Sequence, residues 1–241
     1  MVIKLATPNE LIKEAYKMIG QPYCWGGNGE TVGSLVRNFA TSHGQDKKST
    51  EEMLTFINKM IKADLDTVHL QDCSGLMVYL LRKINAYQHD LTAEEFYKKC
   101  TKVDEPFAGC FAFYYNGTKH NHIGLCVDNK NVIHDLSTKV GVVLEPLDKR
   151  QDARGKSKWV DFGRPDFCLD FSLDTVTLNK DVYVYMTAHD AEMNDTTKAV
   201  TTYKPNLYYI FRTYGCSTNI TRTKGSAGGW VRNDILFDAE Q

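Results

Sequence analysis

Apolar residues at three- and four-residue spacing, Leu76, Met77, Leu80, Leu81 and Ile84, predict an amphipathic helix whose first turn carries Cys73. A helix over residues 8–19 is predicted the same way. Thr7 and Glu10 stand in capping-box positions at its start, and Gly20 follows its end. Between residues 28 and 71, Ser49 with Glu52 is read as the cap of a third helix bearing Met53, Leu54, Phe56, Ile57, Met60 and Ile61, after a solvated loop at Asp46-Lys47-Lys48. The pattern then changes. Residues 120–128 and 132–136 read as two short strands, with turn-forming residues Asp128-Asn129-Lys130-Asn131 between them. Past a composition shift at Gly163-Arg164-Pro165-Asp166 come brief alternating runs: Val182 to Tyr185, Leu207 to Phe211, Thr218 to Thr221, and Trp230-Val231. Lys204-Pro205-Asn206, Tyr214-Gly215 and the run from Gly225 to Gly229 punctuate them, which predicts a small all-β barrel.

Composition changes this picture little. A 241-residue chain that is 42% hydrophobic and 24% charged describes one or two ordinary globular domains. A net charge of −1 gives no global attraction to nucleic acid or to anionic lipid. The first residues hold no apolar run long enough for a secretory signal, and no stretch approaches a membrane span, so the expectation is a chain made in the cytoplasm with no membrane insertion. Seven scattered cysteines without a Cys-x-x-Cys pair fit reduced thiols better than a disulfide framework or a structural zinc site.

Candidate chemistry gathers at Gln71-Asp72-Cys73-Ser74-Gly75, His122-Ile123-Gly124 and Ile133-His134. A thiol in the first turn of a helix faces unpaired backbone N–H groups and the positive end of the helix dipole, which favours thiolate relative to a free thiol near about 8.5. Acyl transfer at such a sulfur needs a base within reach and a third group that fixes the base's tautomer. His122 is the candidate base, and His134 or its neighbour Asp135 the orienting group. If Gly124 pairs with His134, the two histidines share a sheet face as diagonal neighbours, about 7 Å apart, provided the connection between the strands is odd in length. His120 would share that face in a regular strand. A zinc site of His120, His122 and Cys73 lacks an evident fourth ligand, so no metal and no organic cofactor is expected.

These motifs, with Gly20-Gln21-Pro22-Tyr23-Cys24-Trp25-Gly26-Gly27 ahead of them, resemble the NlpC-type family of bacterial cell-wall cysteine peptidases over most of residues 1–165. The resemblance implies an α+β fold with a papain-like core, helices packed on an antiparallel sheet, over residues 1–168. It implies Cys73 as nucleophile, His122 as general base and His134 as the orienting residue. Tyr23 would lie beside the thiol, and Asp72 and Ser74 would help hold the free amino end of a peptidoglycan stem peptide. Trp25, in the same loop as Tyr23, is a candidate substrate contact. Residues 172–241 are similar to bacterial SH3-like domains of wall hydrolases, in Tyr208-Tyr209-Ile210-Phe211, Asn219-Ile220-Thr221 and Gly228-Gly229-Trp230-Val231, which implies a wall-binding module.

Two departures stand out. Ala108-Gly109-Cys110-Phe111 replaces the Pro-Gly-Asp-Leu that such proteins commonly carry, and residues 28–71 are a long insertion between motifs that meet at the site. The insertion is expected to form one wall of the substrate groove. The expected activity is cleavage of an amide bond in the peptide stem, and the expected setting is a phage or prophage endolysin that reaches the wall after release. The alternatives are a cysteine acyltransferase or amidase acting on a non-wall substrate, and a wall-binding protein whose catalytic half is vestigial.

Overall fold

The computed structural model describes residues 6–60, 65–151, 153–171, 175–214, 216–223 and 227–237. Ile61 of the predicted insertion helix, Gly215, and Gly225-Ser226 of the last predicted turn lie outside the described residues. In chain order, α1 (Pro8–Lys17) leads to β1 (Asn28–Glu30), α2 (Val36–Ser42), α3 (Lys47–Met60) and β2 (Leu70–Gln71). Then follow α4 (Cys73–Lys83), α5 (Ala93–Lys99), β3 (Thr101–Val103), β4 (Phe111–Tyr115), β5 (His120–Cys126), β6 (Asn131–Asp135), β7 (Val142–Pro146) and β8 (Trp159–Arg164). The remainder is β9 (Thr175–Leu178), β10 (Val182–Val184), α6 (Ala188–Met193), β11 (Thr201–Tyr203), β12 (Asn206–Tyr214), β13 (Ser217–Thr221), β14 (Gly229–Arg232) and α7 (Asn233–Phe237).

Six strands, β3 to β8, form one antiparallel sheet in the order β3-β8-β4-β5-β6-β7. Alternation along β4 and β5 gives it two different faces. Phe111, Phe113, Ile123 and Leu125 meet Leu76, Met77 and Leu80 of α4, Leu11 and Ile12 of α1, and Phe96 of α5. The opposite face carries Ala112, Cys126, Val132 and Trp159 as a smaller apolar layer. The helices therefore cover one side of the sheet, and α4 presents its first turn to the middle strands.

Helix α1 begins as expected, with Thr7 and Glu10 closing a capping box. The insertion helix differs. It opens at Lys47, two residues before Ser49, because the Asp46 carboxylate accepts from both the backbone N–H and the hydroxyl of Ser49. Asp46-Lys47-Lys48 is thus a helix start and not a loop. Glu52, released from capping, accepts from the Thr138 hydroxyl at 3.1 Å.

The later residues form a four-stranded antiparallel sheet, β14-β13-β12-β9, and a β10-β11 pair joined to it by a Tyr185–Trp230 bridge. Val176, Leu178, Val184, Tyr208, Ile220 and Val231 make their own core. The short strands match the sequence pattern. Helices α6 and α7 do not follow from it, since each is only a turn or so long and carries no periodic stripe.

Candidate active site

Asp72 starts the site. Its Oδ1 caps α4 by accepting from the Gly75 N–H at 2.8 Å and from the Ser74 hydroxyl at 3.0 Å, while Oδ2 accepts from the Gly26 N–H at 3.1 Å. Both oxygens, and the Ser74 hydroxyl, are thus bound within the protein. The cap draws the helix start against the Tyr23-to-Gly27 loop. There a Cβ on Gly75 would stand 1.8 Å from the Gly27 carbonyl oxygen, so only glycine permits the approach.

Cys73 occupies the first position of α4 and is 9% exposed. Burial first, and then the Asp72 carboxylate, push its thiol up to about 12, although backbone N–H groups of Ile123 and Ser74 face the sulfur and act the other way. The helix terminus alone argues for thiolate. Desolvation and the capping carboxylate outweigh it, and the resting sulfur is a neutral thiol.

The sulfur meets β5 at Ile123, the residue after His122. Strands β5 and β6 pair only at Leu125–Ile133 and Cys126–Val132; one rung further, Gly124 stands opposite His134, where a Cβ would come within 3.0 Å of the His134 Cβ. His122 and His134 therefore lie on one face as diagonal neighbours, across the expected odd-length connection. Their rings meet edge to face, with Nε2 of His122 2.8 Å from Nδ1 of His134. Among the described residues no hydrogen bond joins the Cys73 thiol to His122; such bonds are commonly long in ligand-free sites. Burial, followed by the neighbouring His134, lowers His122 to about 3, so the base is neutral at rest.

Asp135 does not orient the base. It faces the helix side of the sheet, where its Oδ2 accepts from the Gln71 amide at 3.2 Å. His120 also turns away from His122. A register irregularity between Tyr114 and Tyr115 leaves Asn121 as an extra residue on β5, so His120 packs against Tyr97 and Phe113 and bonds Glu94 and Asp161 at 2.8 and 2.9 Å. That arrangement removes the Cys73, His120 and His122 combination considered for zinc.

Tyr23, half-buried, is carried to the site by a bridge to Gln71, and burial followed by the nearby Cys73 sulfur raises its phenol further above its ordinary range. Trp25 is 58% exposed, and its backbone N–H donates to the buried Gln45 side chain of the insertion at 2.8 Å. A cleft of about 360 Å³ opens beside them, lined by Tyr23, Trp25, Asp46, Ser49, Ser137 and Thr138. Asp46 and Ser49 of the insertion form one wall of this cleft, whose lining includes none of Cys73, His122 and His134. A larger hollow of about 900 Å³ runs along Lys48, Glu52 and Lys59 of α3 and holds none of the candidate site residues.

Sequence reading missed Glu145, Arg150 and Gln45. Glu145 and Arg150 flank His134 from β7 and the turn after it, and nothing in Val-Val-Leu-Glu-Pro marks that glutamate as buried. The absent acidic residue near residue 110 has a replacement: the Cys110 sulfur accepts from the Phe107 N–H at 3.3 Å.

The pattern that defines the NlpC/P60 family matches residues 20–155, more than half of the chain, and the chain belongs to that family. NlpC/P60 proteins are cysteine peptidases that act on peptidoglycan. Similar solved structures include NlpC2 from Trichomonas vaginalis, at 14% identity and a TM-score of 0.43, covering 67% of this chain and 48% of that one. The P60 domain of an antigen from M. avium subspecies paratuberculosis is 19% identical with a TM-score of 0.41, over 66% of this chain and 93% of that one. The peptidoglycan hydrolase RipB from Mycobacterium tuberculosis is 22% identical with a TM-score of 0.41, over 66% and 64%. The chain spans about half the length of the Trichomonas protein. No curated protein sequence matches it.

Proposed function

We propose that this chain is a peptidoglycan hydrolase that cuts an amide bond in the stem peptide through Cys73, His122 and His134. The observation that carries the reading is a thiol at the start of α4 set against the Ile123 backbone of β5, next in sequence to His122, whose imidazole is hydrogen-bonded to a second, buried imidazole. Because sulfur and base are both neutral at rest, proton transfer accompanies attack. His122 takes the thiol proton while the sulfur bonds to the scissile carbonyl carbon, and the Cys73 N–H with the Tyr23 hydroxyl supports the developing oxyanion. Collapse breaks the C–N bond, His122 protonates the departing amine, and a thioester remains. Water then gives a proton to His122 and its oxygen to the carbonyl carbon. The acid leaves, and the proton returns to sulfur.

Asp72 and Ser74 flank Cys73 at the start of α4, and Tyr23 and Trp25 line the cleft beside the insertion. Their use as substrate contacts is part of this reading, as is a catalytic unit over residues 1–168 followed by an SH3-like wall-binding unit over 172–241. The separate apolar core among residues 176–236 supports the division. No helix among the described residues is long and apolar enough to cross a membrane. The proposed setting is an endolysin, and adding the purified chain to intact Gram-positive cells tests it through loss of turbidity. Digestion of purified sacculi, with the new termini mapped, tests the chemistry. A fresh amine and carboxyl within the stem are expected; release of glycan ends alone would overturn it.

A further inference from the structure

None of the sequence motifs reaches Glu145, yet its carboxylate is only 6% exposed and touches His134. Glu145 Oε1 accepts from His134 Nε2 at 3.0 Å and from Arg150 Nε at 2.5 Å, and Oε2 accepts from Arg150 Nη2 at 2.7 Å. Burial opposes the charge on this group, but the hydrogen bonds from His134 and Arg150 outweigh it and hold the carboxyl at about 2. An ionised carboxylate can only accept.

That single fact orders every proton along the line. His134 must donate from Nε2, so a neutral His134 keeps its lone pair on Nδ1. This Nδ1 lies 2.8 Å from His122 Nε2, which must then carry the proton between them. The other nitrogen of His122, Nδ1, is left with the free lone pair. We propose that Glu145, clamped by Arg150, is a positioning residue that fixes the tautomers of His134 and His122 and so makes Nδ1 of His122 the nitrogen that takes the Cys73 proton. The inference rests on the peptidase reading above for the identity of that proton's donor. Arg150 balances the buried charge, so Glu145 stays an acceptor and does not take the proton from His134. Trp159, with its ring 5.0 Å from that of His134 and 5.5 Å from that of His122, packs both imidazoles in these orientations. Once His122 is protonated, the Glu145 charge stabilises it through His134.

The test is nitrogen-15 histidine NMR on the full chain at neutral pH, alongside steady-state kinetics on stem peptides. The native chain should show protonated Nε2 and bare Nδ1 on both His122 and His134. Glu145→Gln should keep these tautomers, since the oxygen shared by His134 and Arg150 Nε stays in place, while kcat falls about 10-fold. Glu145→Leu should give mixed tautomers and a kcat about 100-fold lower, with KM within about a factor of two, the range seen when an orienting partner of a functional histidine is lost. Should Glu145→Leu fail to fold, Arg150→Met carries the test, with mixed tautomers expected. Unchanged tautomers and kcat in Glu145→Leu, or in Arg150→Met, would overturn the proposal, as would a native His134 protonated on Nδ1. A native chain with these tautomers that cuts no stem peptide overturns the peptidase reading and supports the proton order. An active chain with reversed tautomers overturns the proton order alone.

Discussion

His122 Nε2 stands 2.8 Å from His134 Nδ1, across two strands that share only two rungs of pairing. The pairing stops where the imidazoles begin, and both rings stay on one face, packed against Trp159. His134→Gln should leave the fold intact and lower kcat about 100-fold with little change in KM, because the base loses its orienting partner and the substrate contacts remain. Steady-state kinetics with a purified stem peptide checks this; equal losses in both parameters would point to a disturbed cleft instead.

Gly75 sits in α4 with the Gly27 carbonyl directly over its Cα, and an added Cβ would stand 1.8 Å from that oxygen. The obstacle is backbone on both sides and cannot swing away. Gly75→Ala should cost about 2–3 kcal/mol and displace Cys73 relative to β5. Denaturant unfolding measures the loss, and a stability within about 0.5 kcal/mol of the native value would show that the helix start can shift freely.

The insertion reaches the site through Gln45, whose amide oxygen accepts from the Trp25 N–H at 2.8 Å, and through Glu52, which accepts from Thr138 at 3.1 Å and pairs with Lys139 at 3.4 Å. These bonds hold the two rims of the cleft. Gln45→Ala should therefore raise KM several-fold and leave kcat within about a factor of two, since uniform binding is lost and the reacting groups stay in place. A fall in kcat at constant KM would assign the insertion to the chemistry instead.

Asp135 gives a pH dependence whose sign can be worked out. Burial pushes its carboxyl well above its ordinary value, with the Gln71 amide opposing and the Asp72 charge adding to the rise. A raised carboxyl binds its proton more tightly in the folded chain, so its stabilising contribution is complete below the unfolded value near about 3.9 and is lost as pH climbs toward the folded one. Asp135→Asn keeps the shape and cannot ionise. The native chain should lose stability relative to this variant as pH rises above about 4, measured as urea midpoints; parallel curves for the two would contradict the assignment.

Much of this was legible in the chain. The capping box at Thr7 and Glu10, the helix opening at Cys73 and the parity that puts His122 and His134 on one face follow from local rules, because each depends on neighbours in sequence. What was not legible depends on contacts across the fold. Asp46 takes the cap from Ser49 because its carboxylate reaches both donors, and an extra residue on β5 reverses His120, which no periodicity announces. The protonation state of Cys73 reverses for the same reason, since burial is a property of the packed site and the helix start is not. Glu145 reads as one more strand-edge acid until the fold seats it against His134.

The central claim is that the Cys73 sulfur attacks the stem. Mass spectrometry of purified muropeptides incubated with the native chain and with Cys73→Ala tests it most directly. The account predicts stems split at one amide bond by the native chain and left intact by the variant, with a Cys73 thioester captured by rapid acid quench. Stems cut equally well by Cys73→Ala would contradict it.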